Sequence, residues 1–214
     1  MLFHKDKHAE MEIYNDINGN LVNLFKCAKY HPNAISEELE LVINSREYFL
    51  DFISLYNNSA LTEIQRASMY FYLIKASYGS KVTHFGANFK DTTNAQYLKK
   101  VKERLKSVVI ENKSFDKLIL QHDAQDSLFY CDPPYYGAES FYAAGGASFD
   151  EEQHLKLNSI LKEIKGKAII SYNDSDFIRE LYRDFSIEET ERSNNLALRY
   201  GKNKQYKELI IRNY

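Results

Sequence analysis

An acid, two prolines and a tyrosine, Asp132-Pro133-Pro134-Tyr135, directly follow the apolar run Ser127-Leu128-Phe129-Tyr130-Cys131. That run reads as a buried strand. The four residues then stand where a parallel strand would end, the edge at which open α/β sheets bind ligands. An acceptor carboxylate beside a flat ring suits a nucleobase with an exocyclic amine. Such an amine is a poor nucleophile, because its lone pair is delocalised into the ring. The Asp132 carboxylate can accept one of its N–H groups and the Pro133 carbonyl the other. Together they draw the nitrogen toward tetrahedral geometry and free the lone pair. Tyr135 can stack on the base, and the proline pair stiffens the turn so that both acceptors are held in place. Asp-Pro alone would read as a turn with a helix cap; the placement of all four residues after an apolar strand is what points to chemistry.

Two further positions bear on a nucleotide-like ligand. In Glu12-Ile13-Tyr14-Asn15-Asp16-Ile17-Asn18, Asp16 ends a second short strand. A carboxylate there holds the two ribose hydroxyls of a cofactor, or simply caps the next helix. Phe115 follows the strand at 108–112 and either lies against a cofactor adenine or packs into the core. Metal chemistry is not expected. Among the histidines at 4, 8, 31, 84, 122 and 154, only His4 and His8 have a ligand-like spacing, and they lie in a charged terminus. The His-x-Glu and Pro-Cys-x-x-Cys signature of a zinc deaminase is missing.

The elements that must position these residues alternate at both ends of the chain. Residues 11–14 read as a strand, and Asn18-Gly19-Asn20 opens a helix that His31-Pro32-Asn33 breaks. Residues 35–57 have helical spacing, and Thr62 with Gln65 caps a helix over about 62–76. A polar loop at 77–94 and a basic helix to about 107 follow. Strands are expected at 108–112, 127–131 and 168–171, with helices at 114–120, 150–165 and 175–184. Gly137–Ser148 reads as a mobile loop, and two late β segments, 185–192 and 206–213, as a closing antiparallel pair. The sum is an α/β domain interrupted by an all-helical basic module at roughly 19–104.

Charge is uneven. The 214 residues carry a net −2, yet residues 75–106 hold eight Lys/Arg against Asp91 and Glu103, a local +6. Residues 192–207 hold five basic residues and no acid, which leaves about −13 for the rest. Two basic segments on an acidic body can form a phosphate-binding face. Hydrophobic content of 44% can supply a core. Cys27 and Cys131 fall in a predicted helix and strand, as reduced thiols of a cytoplasmic protein do. No apolar run approaches the roughly 20 residues of a membrane span, and the charged first ten residues are not a signal peptide. A membrane partner is therefore not expected.

Taken together, the residues resemble the DNA adenine methyltransferases of the Dam type, which transfer a methyl group from S-adenosyl-L-methionine to adenine N6. The resemblance runs almost end to end. It includes Tyr14-Asn15-Asp16-Ile17-Asn18-Gly19-Asn20-Leu21-Val22-Asn23, the aromatic helix around Tyr70–Leu73, Asp132–Tyr135, and Ser148-Phe149 with Gln153-His154-Leu155. It continues through Ile170-Ser171-Tyr172-Asn173-Asp174 and closes on Glu208-Leu209-Ile210-Ile211-Arg212-Asn213-Tyr214.

The resemblance implies a class I S-adenosylmethionine-dependent, Rossmann-like sheet: a catalytic domain of residues 1–18 and 105–214, and an inserted target-recognition domain at 19–104. Asp132, Pro133, Pro134 and Tyr135 would be catalytic. Asp16, Phe115 and Asp132 would bind the cofactor. Lys81, His84, Lys90, Lys99, Lys100, Lys102 and Arg104 would meet double-stranded DNA, and the 137–148 loop would close over a flipped base, since N6 is out of reach while the base is stacked. The loop 77–89 differs too much from better-known members to transfer a target sequence.

One departure is large. Family members open with a cofactor-binding segment and a central first strand that ends in a Phe-x-Gly-x-Gly type loop. This sequence has no Gly before Gly19. Loss of that strand would leave the strands at 11–15 and 108–112 without a neighbour, at about 1–3 kcal/mol per buried unpaired group. Cofactor binding is then expected to be poor, or folding to need help. Truncation, a segment supplied by a separate chain, and a decayed prophage-type remnant are three explanations. The function expected is adenine-N6 DNA methylation, of the restriction-modification or phage kind; the alternative is a catalytically impaired DNA-binding remnant. Methylation of a protein glutamine is disfavoured, because that chemistry usually goes with Asn at the first motif position.

Overall fold

The computed structural model describes residues 2–4, 8–80, 82–86, 95–138, 149–193 and 205–214. The chain divides into two compact units, Met1–Lys113 and Ser114–Tyr214.

In the first unit the short strands β1 (Glu12–Asn15) and β2 (Val108–Glu111) pair in parallel, Glu12 opposite Val108 and Asn15 opposite Glu111. The two strands expected to lose their neighbour thus neighbour each other. Among the described residues, five α-helices lie between them in sequence: α1 (Gly19–Tyr30), α2 (Pro32–Glu40), α3 (Arg46–Leu55), α4 (Glu63–Ala76) and α5 (Ala95–Leu105). The centre is α4, where Tyr70, Phe71, Tyr72 and Leu73 are all buried. Four consecutive buried residues leave a helix no solvent face, and α1, α2 and α3 all pack against it. Its N-terminus is fixed by the expected capping box, Thr62 with Gln65.

The helical spacing over 35–57 resolves into two helices instead of one. The break expected after α1 falls at His31, and Pro32 stands at the start of α2, where its missing N–H is harmless. The chain leaves the helix at Leu41, and Ser45 restarts it by accepting from the Tyr48 N–H. Apolar periodicity survives this break, so it could not reveal it.

The second unit holds α6 (Phe115–Gln121), β3 (Leu128–Cys131), α7 (Glu151–Glu163), β4 (Lys167–Asn173), α8 (Asp176–Leu181), β5 (Ser186–Ser193) and β6 (Gln205–Arg212). Its sheet has the order β3-β4-β6-β5; β3 is parallel to β4, and β6 is antiparallel to both of its neighbours. Alternation sets the faces. Ala168, Ile170 and Tyr172 of β4 and Leu209 and Ile211 of β6 are buried, with Phe129 and Cys131 of β3 beside them. Ile119 of α6, Leu157 and Leu161 of α7 and Ile178 of α8 complete that core.

β3 is not the fully buried strand that its apolar run suggested. Leu128 is 61% and Tyr130 46% exposed. β3 is an outer strand of this sheet, and the core covers only its Phe129 and Cys131 side.

Gly166 fixes the turn from α7 into β4. Its N–H donates to Asp123 Oδ1 at 3.0 Å, and its carbonyl accepts from Asn213 Nδ2 at 3.2 Å. A Cβ there would lie 2.9 Å from the carbonyl oxygens of Ala124 and Ser127, both backbone atoms that cannot simply rotate away. Gly166→Ala is expected to destabilise the protein by about 1–3 kcal/mol, read as a lower urea midpoint; an unchanged midpoint would show that the turn has slack.

Candidate functional site

The register of β3 on β4 builds the candidate site. Cys131 pairs with Ile170, so the next residue along, Asp132, falls beside Ser171. The Ser171 hydroxyl donates to Asp132 Oδ1 at 2.9 Å, and the Tyr130 hydroxyl lies 3.2 Å from Ser171 Oγ. Asp132 is exposed, Pro133 is buried, and Pro134 and Tyr135 are half-buried. One proline is therefore wedged into the unit while the acid it follows stays open to solvent.

Residues after the prolines are fastened in turn. The Tyr135 hydroxyl donates to Glu208 Oε1 of β6 at 2.7 Å. Asn173 of β4, paired with Glu208 across the sheet, donates its amide to the Tyr136 carbonyl at 3.0 Å. The Tyr136 ring stacks on Phe177 with centroids 4.1 Å apart and planes at 15°, a favourable aromatic pair. Behind them, the fully buried His154 of α7 meets the Tyr172 hydroxyl through Nδ1 at 2.7 Å. Gly137, at φ 77°, turns the chain, and the Ala138 N–H donates to the Tyr135 carbonyl at 2.9 Å. Of the loop expected at 137–148, residues 139–148 lie outside the described residues.

Cys131 sits directly under this turn. Burial first, and the neighbouring Asp132 charge second, push its thiol up to about 12. It is held as a neutral, weakly polar neighbour of the carboxylate.

Asp16 belongs to the first unit and has its own scaffold. Its Oδ1 accepts from the Asn18 N–H at 2.9 Å and its Oδ2 from the Tyr14 hydroxyl at 3.1 Å. Burial first, and the Asp16 charge second, hold the Tyr14 phenol protonated well above its ordinary range, so it remains a donor. Asn112 donates to the carbonyls of Asp16 and Ile17, and Asn15 exchanges two hydrogen bonds with the Lys113 backbone. The helix cap that competed for Asp16 is made instead by Asn18, whose side chain accepts from the N–H groups of Asn20 and Leu21.

The remaining predicted residues fall differently. Phe115 starts α6 and packs against Phe149 at 5.6 Å with the Lys156 ammonium 5.9 Å from its ring. Lys99, Lys100 and Lys102 are exposed on α5, whose Leu98, Val101 and Leu105 are buried. His84 is exposed near the tip of a tight turn anchored by the Ser77–Phe85 bridge and by Phe85 against Phe49. Arg104 turns inward: its side chain is 11% exposed, Nη1 lies 2.8 Å from Glu12 Oε2, and Nε donates to the Leu2 carbonyl. Lys81 and Lys90 lie outside the described residues.

No described helix is long and apolar enough to cross a membrane, and no group of three or more His, Cys, Asp or Glu side chains among the described residues could hold a metal ion. An open hollow of about 410 Å³ in the first unit is lined by Lys26, Lys29, Tyr30, Lys106 and the edge of β2. It contains none of the predicted site residues, and its Lys29 is spent on the Val108 carbonyl at 2.8 Å.

The residues that reading for motifs left without a role are Tyr130, Ser171, Asn173 and Glu208. Their signal in the sequence is faint: Ser171 and Asn173 are polar positions two apart at the end of a strand whose middle is apolar.

The profile of the D12 class N6 adenine-specific DNA methyltransferase family matches residues 1–196. The chain is 27% identical to the Type II methyltransferase M.CviBI of Paramecium bursaria Chlorella virus NC1A, over 99% of this chain and 85% of that protein. It is 25% identical to the Type II methyltransferase M1.LlaDCHI of Lactococcus lactis subsp. cremoris, over 94% and 79%. It is also 25% identical to the Retron Ec67 DNA adenine methylase of Escherichia coli, over 91% and 73%.

The environment of Cys131 offers a direct check on this geometry. An ordinary thiol is largely ionised at pH 9, and only the thiolate reacts. Labelling of Cys131 at pH 9 by a thiol-specific disulfide reagent, followed by peptide mapping, is expected to run at least about tenfold slower in the native protein than in urea. Equal rates would mean that the turn at Asp132 is open.

Proposed function

We propose how this chain, which belongs to the D12 class N6 adenine-specific DNA methyltransferases, divides the work of its reaction. It is an adenine-specific DNA methyltransferase, and the enzyme reading takes precedence over that of a DNA-binding remnant. The single observation that supports the site is the fastening of Asp132 and Tyr135, on a strand-end turn, to the neighbouring strands through Ser171 and Glu208.

Asp132 and the Pro133 carbonyl accept the two N–H groups of a target adenine, localising the N6 lone pair. Tyr135 stacks on the flipped base, and its hydroxyl bond to Glu208 anchors the far end of the ring. Pro134 keeps the turn rigid. Such acceptors work by being in place before the base arrives.

S-adenosylmethionine, when bound, supplies the electrophilic methyl group. Asp16 fits its ribose: each carboxylate oxygen is oriented by one donor and keeps acceptor capacity for a hydroxyl. Asp132 would lie toward the methionine end. Phe115 would touch the adenine, though its ring is already engaged by Phe149 and Lys156. The parallel β3–β4 pair with the antiparallel β5–β6 pair in the second unit, and the parallel β1–β2 pair in the first, support a class I methyltransferase fold.

Residues 19–104 act as the target-recognition domain, with 1–18 and 105–214 forming the catalytic domain. Lys81, His84, Lys90, Lys99, Lys100 and Lys102 meet double-stranded DNA. Arg104 is left out of this set, because its side chain is turned inward, ion-paired with Glu12 and donating from Nε to the Leu2 carbonyl. A DNA substrate and free cysteines fit a cytoplasmic enzyme.

Tritiated methyl transfer from S-adenosylmethionine to unmethylated duplex DNA tests the reading. Asp132→Ala is expected to lose at least about a hundredfold in rate, and equal incorporation would sink the assignment. Replacing Lys99, Lys100 and Lys102 by Ala is expected to weaken DNA binding and to reduce the slope of log affinity against log salt by roughly one for each phosphate no longer neutralised. An unchanged slope would remove α5 from the interface.

A further inference from the structure

We infer that Ser171 is a positioning residue for the amine-accepting carboxylate, at the centre of a hydroxyl chain that runs from Tyr130 through Ser171 to Asp132. The inference rests on the reading of Asp132 given above, and adds to it a role for Tyr130 and a catalytic consequence for the Ser171 contact.

The direction of the chain follows from counting protons. A serine hydroxyl has one proton and two lone pairs. An ionised carboxylate only accepts, so the Ser171 proton is committed to Asp132 Oδ1 at 2.9 Å. The 3.2 Å contact between Ser171 and Tyr130 must then have the phenol as donor. All three groups lie on one face of β3 and β4, because Tyr130 and Asp132 are two residues apart, and Asp132 falls one step past the Cys131–Ile170 pair.

The effect on Asp132 is specific. The final torsion of an aspartate is broad and nearly two-fold, and Asp132 is exposed. Left alone, its two oxygens would exchange freely. Ser171 ties down Oδ1 and leaves Oδ2 as the oxygen that faces an incoming amine. Tyr130 in turn fixes the serine rotor, since its donated proton occupies one serine lone pair. The carboxylate is thereby held in one rotamer before the base arrives, which removes ordering that would otherwise be needed in the transition state.

The test uses the full chain, with kcat and KM for unmethylated duplex DNA, the DNA dissociation constant and the melting temperature measured for Ser171→Ala, Ser171→Thr, Tyr130→Phe and the Ser171→Ala/Tyr130→Phe pair. Ser171→Ala is expected to lower kcat by roughly tenfold to a hundredfold, the range for a hydrogen bond to a charged group. KM, DNA affinity and melting temperature should stay unchanged. Ser171→Thr, which keeps the hydroxyl on a residue that suits a strand, should restore most of the rate. Tyr130→Phe should cost a smaller factor alone and nothing further in the pair, because it acts through the serine.

Full kcat in Ser171→Ala overturns the inference while Asp132→Ala, inactive in the same assay, leaves the functional reading standing. So does an equal loss in the Ala and Thr variants, or factors for Ser171 and Tyr130 that multiply. A wild-type rate no different from that of Asp132→Ala overturns the reading, and the inference with it.

Discussion

Everything at the candidate site depends on one strand register, Cys131 opposite Ile170. A slip of a single residue in a sheet exchanges its two faces. Here it would turn Asp132 toward the packed side, bring Cys131 out beside the solvent, and part the acid from Ser171. The core enforces the register from behind: Phe129, Cys131, Ala168, Ile170 and Tyr172 must all face α6, α7 and α8 to be buried. Hydrophobic packing on one face is thus what fixes the polar geometry on the other. The interactions on the polar side are few, and none needs to be strong enough to hold the fold.

The second unit also shows how a loop is made stiff without regular structure. From Asp132 to Ala138 the backbone is in no helix or strand, yet β4 and β6 supply a partner at Asp132, Tyr135 and Tyr136. Stacking of Tyr136 on Phe177, with His154 edge-on to both rings, closes the far side. In the first unit the same strategy recurs with different chemistry. Asparagine side chains at positions 15, 18 and 112 replace the aromatic wall, tying the ends of β1 and β2 to the turn that carries Asp16.

Much of this was legible in the residues. The motif after an apolar strand, the capping box at Thr62, the cap at Asp150 and the antiparallel final pair are local patterns, and local patterns are what sequence periodicity records. The break between α2 and α3 was not legible, because apolar spacing runs through it. The half-exposure of β3 was not legible either, since an apolar run looks the same at the edge of a sheet as in its middle. Arg104 illustrates a different limit. In sequence it is one basic residue among several in a helix; only its place opposite Glu12 shows that it serves the fold. The roles of Ser171 and Glu208 depend on pairing between segments about 40 and 70 residues apart from the motif, and pairing of that range leaves no local trace.

The position of β6 has a temporal side. It follows β3, β4 and β5 in the order of synthesis, yet it is an inner strand, with β4 on one flank and β5 on the other. Domains form as units while the chain emerges from the ribosome. Until residues 205–212 are free, β4 and β5 have no common neighbour, Tyr135 has no Glu208, and the turn after the acid has only its β4 partners. A nascent chain therefore carries Asp132–Tyr135 for some eighty residues of translation before the β6 partner of that turn is in place.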